Sequence, residues 1–497
     1  MERIDISLFA YMEDEMSLLL NTEPKRVFHY FEEIAAIPHA SYNTKPIANY
    51  LVDFAKAHDL RYHRDEYDNV IIFKKAFSGY EASQPIIIQG HSDMVAEKEV
   101  DCVHDFDIDG LKLLIDGDYL KAAGTTLGGD DGIALAIALA ILEDDTLKHP
   151  ALEAVFTANE EVGLLGASQL DASVLTGTRL INLDSEEEGF LLAGCAGGLT
   201  AQSTFTMRYQ EMQSPGFEVV IDGLKGGHSG MEIDKNRANA NILMGRFLHR
   251  LDGQIEYSLA EINGGQKDNV ITRNNQVLIL TEAHNEAVLT SVSASLEEEL
   301  RKEYHGSDDL ITVRVNKLGT ESRPVLHPVD KEKLIFFLMN SPFGVIKMSN
   351  DIAGLVETSI NLGRISSTPQ GVDICFGIRS SIGSAKAALT EQVKYLTEFL
   401  GGEFTVNGEY PAWEYQDNSP LREIMQKTYQ TMFGQEIKVT AIHAGLECGI
   451  FYDKISGLDC VSLGPDVFDV HSPNERLSIS SVARTYQYLL QVLADSK

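Results

Sequence analysis

Short apolar runs recur through the first part of the chain, each ending in polar or glycine-rich residues: NVIIFKK, PIIIQGHSD, LEAVFTANEE and RLINLDSEE. Runs of this length, rich in Ile, Val and Phe and closed by turn residues, predict buried strands, and helical spacing fills the segments between them. Strands alternating with helices predict an α/β domain, a mixed sheet flanked by helices. In the last three runs the apolar stretch is followed at once by His, Asp or Glu. Those side chains then stand at the carboxyl ends of strands, where open α/β sheets bind their ligands.

From about Gly197 to Leu400 the texture changes to longer strands, GFEVVIDGLKG and GVDICFGIRSS, with helices ANILMGRFLHRL and SAKAALTEQVKYLTEFL. This predicts an inserted α+β domain. After GGEFTVNGEYPAW the first texture returns, with helix SPLREIMQKTYQTMFG, then KVTAIHAGLECGIF, DCVSLGPD and a terminal helix SISSVARTYQYLLQVL. The expected organisation is a two-domain α/β protein whose catalytic domain is split into residues 1–196 and 402–497 around an insertion at 197–401. No internal repeat or low-complexity linker interrupts it.

The chain has 497 residues, 44% hydrophobic and 23% charged, enough for two domains with separate cores. A formal charge of −33 disfavours nucleic acid and anionic membrane surfaces as partners. There is no apolar run of about 18 residues, and the opening MERIDISLFAYMEDEM is acidic where a secretory signal would be basic. A cytoplasmic protein is expected. Its five cysteines, Cys102, Cys195, Cys375, Cys448 and Cys460, are scattered and never spaced as CxxC, so reduced thiols are expected rather than disulfides or thiolate zinc.

Candidate chemistry lies at the strand ends. In His91-Ser92-Asp93 the two outer side chains point the same way, so a carboxylate can hold the far imidazole nitrogen and fix its tautomer. By itself an HxD is common and weak. Gly124 to Gly132, GTTLGGDDG, leads into the apolar helix IALAIALAIL. Its glycines allow close backbone approach, and Asp130 or Asp131 is either a helix cap or a ligand. Neighbouring side chains diverge after LEAVFTA, so one of Glu160 and Glu161 can hold metal while the other serves as general base. Asp184 follows an apolar strand directly, and His471 lies in DVHSPNE near the carboxyl end. Two histidines and several carboxylates suit zinc, cobalt or manganese.

The motifs HSD, GTTLGGDDG, NEEVG, NLDSEEEG with GCAGG, KGGHSG, HAGLECG and HSPNE follow one another in the order found in aminoacyl-histidine (Xaa-His) dipeptidases. The chain resembles that branch of the two-zinc group which also holds aminoacylases, glutamate carboxypeptidase and acyl-amino-acid deacylases. The resemblance spans nearly the whole chain. It implies that His91 and Asp184 bind one metal, Glu161 and His471 the other, and that Asp130 bridges them. Glu160 is then the general base and Asp93 the partner of His91. It further implies that the insertion is a lid, that His228 stabilises the oxyanion in a neighbouring subunit of a homodimer, and that Asn269, Arg273, Arg379 and Glu447 are substrate-binding candidates. The lid motif reads HSGMEI, lacking the further glycine expected before the glutamate.

The implied activity is metal-dependent hydrolysis of dipeptides, β-Ala-His among them, with two divalent ions per subunit, zinc first and manganese or cobalt as alternatives. An N-acyl-amino-acid amidohydrolase is the rival within the same chemistry. A metal- or peptide-binding protein without activity is the rival outside it, and the presence of Glu160 argues against that one.

Overall fold

The computed structural model describes residues 18–497, so the acidic opening segment lies outside the described residues. The described chain divides into two compact units. The first runs to Gly194 and resumes over Tyr415–Ala441 and Leu446–Lys497; the second holds Cys195–Glu414 and Ile442–Gly445.

The first unit is built on an eight-stranded sheet in the order Arg61–Arg64, Val70–Lys74, Leu152–Thr157, Ile86–His91, Arg179–Asn182, Asp459–Ser462, Phe190–Cys195 and Lys438–Ile442. The strands Leu152–Thr157, Ile86–His91, Arg179–Asn182 and Asp459–Ser462 run parallel to one another. Three of them therefore open on the same edge, one ending at His91 and the others just before Glu160 and Asp184.

Helix Gly129–Glu143 is apolar on every face and buried along nearly its whole length, as a helix hydrophobic all round must be. It packs with Val27, Phe28, Phe31 and Ile34 of helix Lys25–Ala35 and with Ile86 and Ile88 of the neighbouring strand. Each of its Leu and Ile side chains contributes roughly 1.5–3 kcal/mol by leaving water. Close approach explains Gly90: a Cβ there would lie 2.6 Å from both Ala134 Cβ and Asp131 Oδ2. The start of the helix is thus pressed directly against the end of the strand that carries His91.

A second, four-stranded sheet joins Val467–Phe468, Arg476–Ser478, Tyr119–Ala122 and Leu113–Asp116. Its pairing of Arg476–Ser478 with Tyr119–Ala122 fastens the loop bearing His471 beside the loop bearing Asp130.

The second unit is a nine-stranded antiparallel sheet that includes Tyr209–Asp222, Thr312–Leu326, Val356–Thr368 and Gly371–Ser380. Alternate residues Phe217, Val219 and Ile221 pack under helices Ala240–Asp252, Glu286–Glu303 and Pro328–Asn340 through Phe247, Leu296 and Phe337. Its limits differ from the expected 197–401. Strand Glu403–Tyr410 pairs with Gly197–Thr206 and so becomes an edge strand of this sheet, and Ile442–Gly445 also falls in this unit. No helix among the described residues is long and apolar enough to cross a membrane.

Candidate metal centre

His91 closes its strand fully buried. Its Nε2 lies 3.0 Å from Asp130 Oδ1 and 3.6 Å from Asp184 Oδ1. The other oxygen of Asp130 lies 3.2 Å from His471 Nε2, and that same nitrogen is 3.0 Å from Glu161 Oε1. Asp130 therefore presents one oxygen to each imidazole. Ligand atoms of His91, Asp130 and Asp184 fall within 4.8 Å of one another, as do those of Asp130, Glu161 and His471. A third set, His91, Glu160 and Glu161, overlaps both and places Glu160 beside them.

The backbone is held in shape to do this. Asn159 (φ 56°) and His471 (φ 58°) take left-handed conformations, uncommon for any residue but glycine though Asn and His adopt them more often than most. Such strain, about 1–3 kcal/mol per residue, persists where surrounding bonds over-determine the geometry. At Asn159 the Oδ1 accepts the Tyr42 N–H at 2.6 Å, tying the loop before Glu160 to the chain at Ser41–Tyr42.

Asp93 lies beside His91, but the hydrogen bond between them uses the Asp93 backbone rather than its carboxylate. The Nδ1 of His91 hydrogen-bonds the backbone carbonyl of Asp93 at 3.0 Å, whereas the carboxylate stands 3.6 Å away and acts on the imidazole electrostatically. That carboxylate accepts the Glu160 N–H at 2.9 Å and the Ser41 hydroxyl at 2.8 Å. It thus locks the Glu160 backbone to the HxD turn. Asp131, the second of the paired aspartates, accepts the His91 N–H at 3.1 Å and is buried.

The electrostatics match a cation-binding pocket. Burial, with Asp131 and Asp130 close by, pushes Asp184 well above the usual carboxylate range. Burial together with Glu447, Glu161 and Asp130 does the same to Glu160. Burial acts to lower His91, but its bonds to Asp130 and Asp93 prevail and hold it well above an ordinary imidazole. Hydrogen bonds to Asp130 and Glu161 push His471 up to about 10. Among the described residues no Lys or Arg reaches ion-pair distance of Asp130, Asp184, Glu160 or Glu161. Four crowded carboxylates with only two imidazoles as counter-charge form an oxygen- and nitrogen-rich donor set that suits divalent ions.

Glu447 is not where the sequence placed it. Rather than lining a substrate pocket it is fully buried at the start of helix Glu447–Lys454. Its Oε2 accepts Gln89 Nε2–H and Thr157 Oγ1–H, both at 2.6 Å, beneath the strand ends. The hydrogen-bonding needs of two buried strand side chains hold it away from solvent. Sequence reasoning gave Glu475, the glutamate of HSPNE, no role; it accepts four backbone N–H groups from Leu127 to Asp130.

In the second unit, the short strand Gly227–His228 pairs with Val270–Ile271, and the Ser229 N–H donates to Asn269 O at 2.9 Å. This brings His228 and Asn269 together. His228 Nδ1 accepts the N–H groups of Gly230 at 3.3 Å and Met231 at 3.1 Å, so its neutral ring carries the proton on Nε2. Burial and Arg379 lower its pKa, which keeps it neutral near pH 7. Met231, standing where a glycine was expected, keeps its side chain exposed and leaves this turn intact. Arg379 Nη1 donates to Tyr410 Oη at 2.9 Å, and His443 hydrogen-bonds Ser359 Oγ at 2.7 Å nearby. Arg273 is exposed. Tyr410 and His443 were absent from the sequence expectations.

Residues 87–495 match the model of peptidase family M20/M25/M40. The cytosol non-specific dipeptidase of Escherichia coli (strain K12) is 37% identical over 97% of this chain and 99% of its own length. The crystal structure of aminoacylhistidine dipeptidase from Vibrio alginolyticus gives a TM-score of 0.89 at 34% identity, covering 96% of this chain and 98% of that one. The fold is shared more distantly with aminopeptidase PepT from Bacillus cereus, at a TM-score of 0.55 and 16% identity over 96% of this chain and 99% of that one.

Proposed function

The chain belongs to peptidase family M20/M25/M40, and from that premise we propose that it is a cytoplasmic two-metal dipeptidase that cleaves Xaa-His dipeptides within a broader dipeptide range. One observation carries the reading: the two oxygens of Asp130 face His91 and His471 separately, with Asp184 and Glu161 completing the two donor sets. The names of the Escherichia coli and Vibrio alginolyticus relatives support dipeptides as the substrate class.

His91, Asp130 and Asp184 would hold one divalent ion, and Asp130, Glu161 and His471 the other, with zinc the first expectation. When bound, such a pair supplies a water of lowered pKa and a Lewis acid for the peptide carbonyl. Glu160 takes the proton of the attacking water and returns it to the leaving amine, so one carboxylate serves both halves of the reaction. Asp93 holds Glu160 in place through its backbone N–H. His228 of a neighbouring subunit, with its proton on Nε2, donates to the oxyanion, which makes a homodimer part of the proposal. Arg273 binds the free carboxylate of the dipeptide through forked, charge-assisted donors, with Arg379 as a further candidate and Asn269 contacting substrate through its amide.

The test is hydrolysis of β-Ala-His, Ala-His, Leu-Gly, a tripeptide and N-acetyl amino acids by metal-stripped protein, with and without zinc or manganese. Metal-dependent cleavage of the dipeptides, with Xaa-His among the best, is expected. Cleavage of N-acetyl amino acids alone would make the protein a deacylase, and no cleavage with either metal would make it a binding protein.

A further inference from the structure

A buried carboxylate in the loop that carries His471 has no place in the reaction outlined above. Glu475, four residues beyond that histidine, is 2% exposed. Its Oε2 accepts the backbone N–H groups of Leu127 at 2.7 Å and Gly128 at 3.1 Å, and its Oε1 accepts those of Gly129 at 2.8 Å and Asp130 at 3.2 Å. A carboxylate removed from water is unfavourable unless donors replace its hydration, and here four do.

Successive N–H groups converging on one anion form a nest, the arrangement by which backbone binds phosphate and carboxylate ligands. In this protein the chain supplies its own anion. Two glycines permit the shape: Gly128 has φ +65°, and a Cβ on Gly129 would stand 3.2 Å from Glu475 Oε1. The last N–H of the nest belongs to Asp130, whose side chain faces His91 and His471. The anion itself precedes strand Arg476–Ser478, which is fixed to Tyr119–Ala122. A single side chain thus joins the Asp130 backbone to the His471 loop.

We infer that Glu475 is a positioning residue, whose carboxylate fixes the Leu127–Asp130 backbone against the His471 loop and so sets where both oxygens of Asp130 stand. This role presupposes that Asp130 and His471 hold metal. Glu475 acts through Asp130 and touches neither ion nor substrate. In Glu475→Gln the volume is kept, but an amide N–H group is turned toward N–H donors. Glu475→Asp keeps the charge on a shorter stem.

The experiment titrates metal-stripped wild type, E475Q and E475D with zinc by calorimetry, and measures kcat and KM for a dipeptide at saturating zinc. E475Q is expected to weaken zinc binding by about 10- to 100-fold, as loss of a group that orients metal ligands does. Its kcat should fall with KM little changed, and E475D should recover part of the affinity. A merely structural role would lower Tm while leaving the zinc affinity of the folded protein unchanged. Wild-type zinc affinity and kcat in E475Q overturn the positioning role alone; a wild type that takes up no pair of ions overturns the metal centre along with it. Should E475Q not fold, hydrogen exchange on wild type decides. Amides of Gly128, Gly129 and Asp130 that exchange more slowly once zinc is added support the role, and unchanged exchange overturns it.

Discussion

Replacing Glu160 by Gln removes the proton acceptor while leaving its surroundings in place. The residue is anchored by its main chain, whose N–H donates to Asp93 Oδ1 at 2.9 Å, and Gln keeps that bond. Burial with Glu447, Glu161 and Asp130 close by already pushes its carboxyl well above the usual carboxylate range, so a neutral amide takes no stabilising charge from the metal-free protein. The Tm of that form should therefore hold or rise. Neither of the two proposed ligand sets contains Glu160, so two ions per chain should still bind, more weakly because one negative charge is gone. A positioned general base is worth about 10²- to 10⁴-fold in rate, or roughly 3–5 kcal/mol of transition-state stabilisation. At saturating metal, kcat for a dipeptide should fall by that factor. The assay pairs elemental analysis with initial rates measured on the same preparation. A Glu160→Gln protein that carries two ions and turns over within tenfold of wild type would refute the general-base role.

Three further outcomes follow from the geometry. Gly90→Ala should destabilise the fold by about 1–3 kcal/mol, as forced overpacking does, and weaken metal binding, because the new Cβ meets Ala134 and Asp131; an unchanged thermal midpoint would count against that close approach. His471, pushed up to about 10 by Asp130 and Glu161, is protonated in the metal-free protein at neutral pH, so metal must displace that proton. Apparent metal affinity should then rise with pH toward 10, while the ion-paired histidine's own contribution to metal-free stability, full below about 6.5, is lost as pH climbs through about 10. Calorimetry in two buffers of different ionisation enthalpy would reveal the released proton, and no buffer dependence would contradict it. Mixing inactive Glu160→Gln with inactive His228→Ala protein should restore turnover if His228 serves a neighbouring subunit; a mixture as inactive as its parts would place His228 outside that role.

How much of this was legible in the sequence depended on the kind of element that carries each residue. His91, Glu160, Glu161 and Asp184 stand out because an apolar strand precedes each of them at close range, and burial writes that pattern into sequence. His471 follows no such run. Strands of two and three residues, Val467–Phe468 and Arg476–Ser478, bring it to Asp130, and elements so short leave no periodicity to read. Only the HSPNE motif and the family resemblance pointed to it. Strand Thr312–Leu326 escaped notice because its middle is solvent-exposed and polar. Glu447 entered as a substrate-binding candidate only through the family resemblance, and nothing local in HAGLECG signals that Gln89 and Thr157 draw it into the interior. Glu475 could have been suspected from its counterpart: GTTLGGDDG exposes many backbone donors, and an acid elsewhere must accept them.

The most direct test is an anomalous difference map from crystals grown with zinc. Two peaks per chain are predicted, about 3.5–4 Å apart, as in two-metal sites, one touching His91, Asp130 and Asp184 and the other Asp130, Glu161 and His471. A single peak, or peaks remote from Asp130, would contradict the two-metal centre.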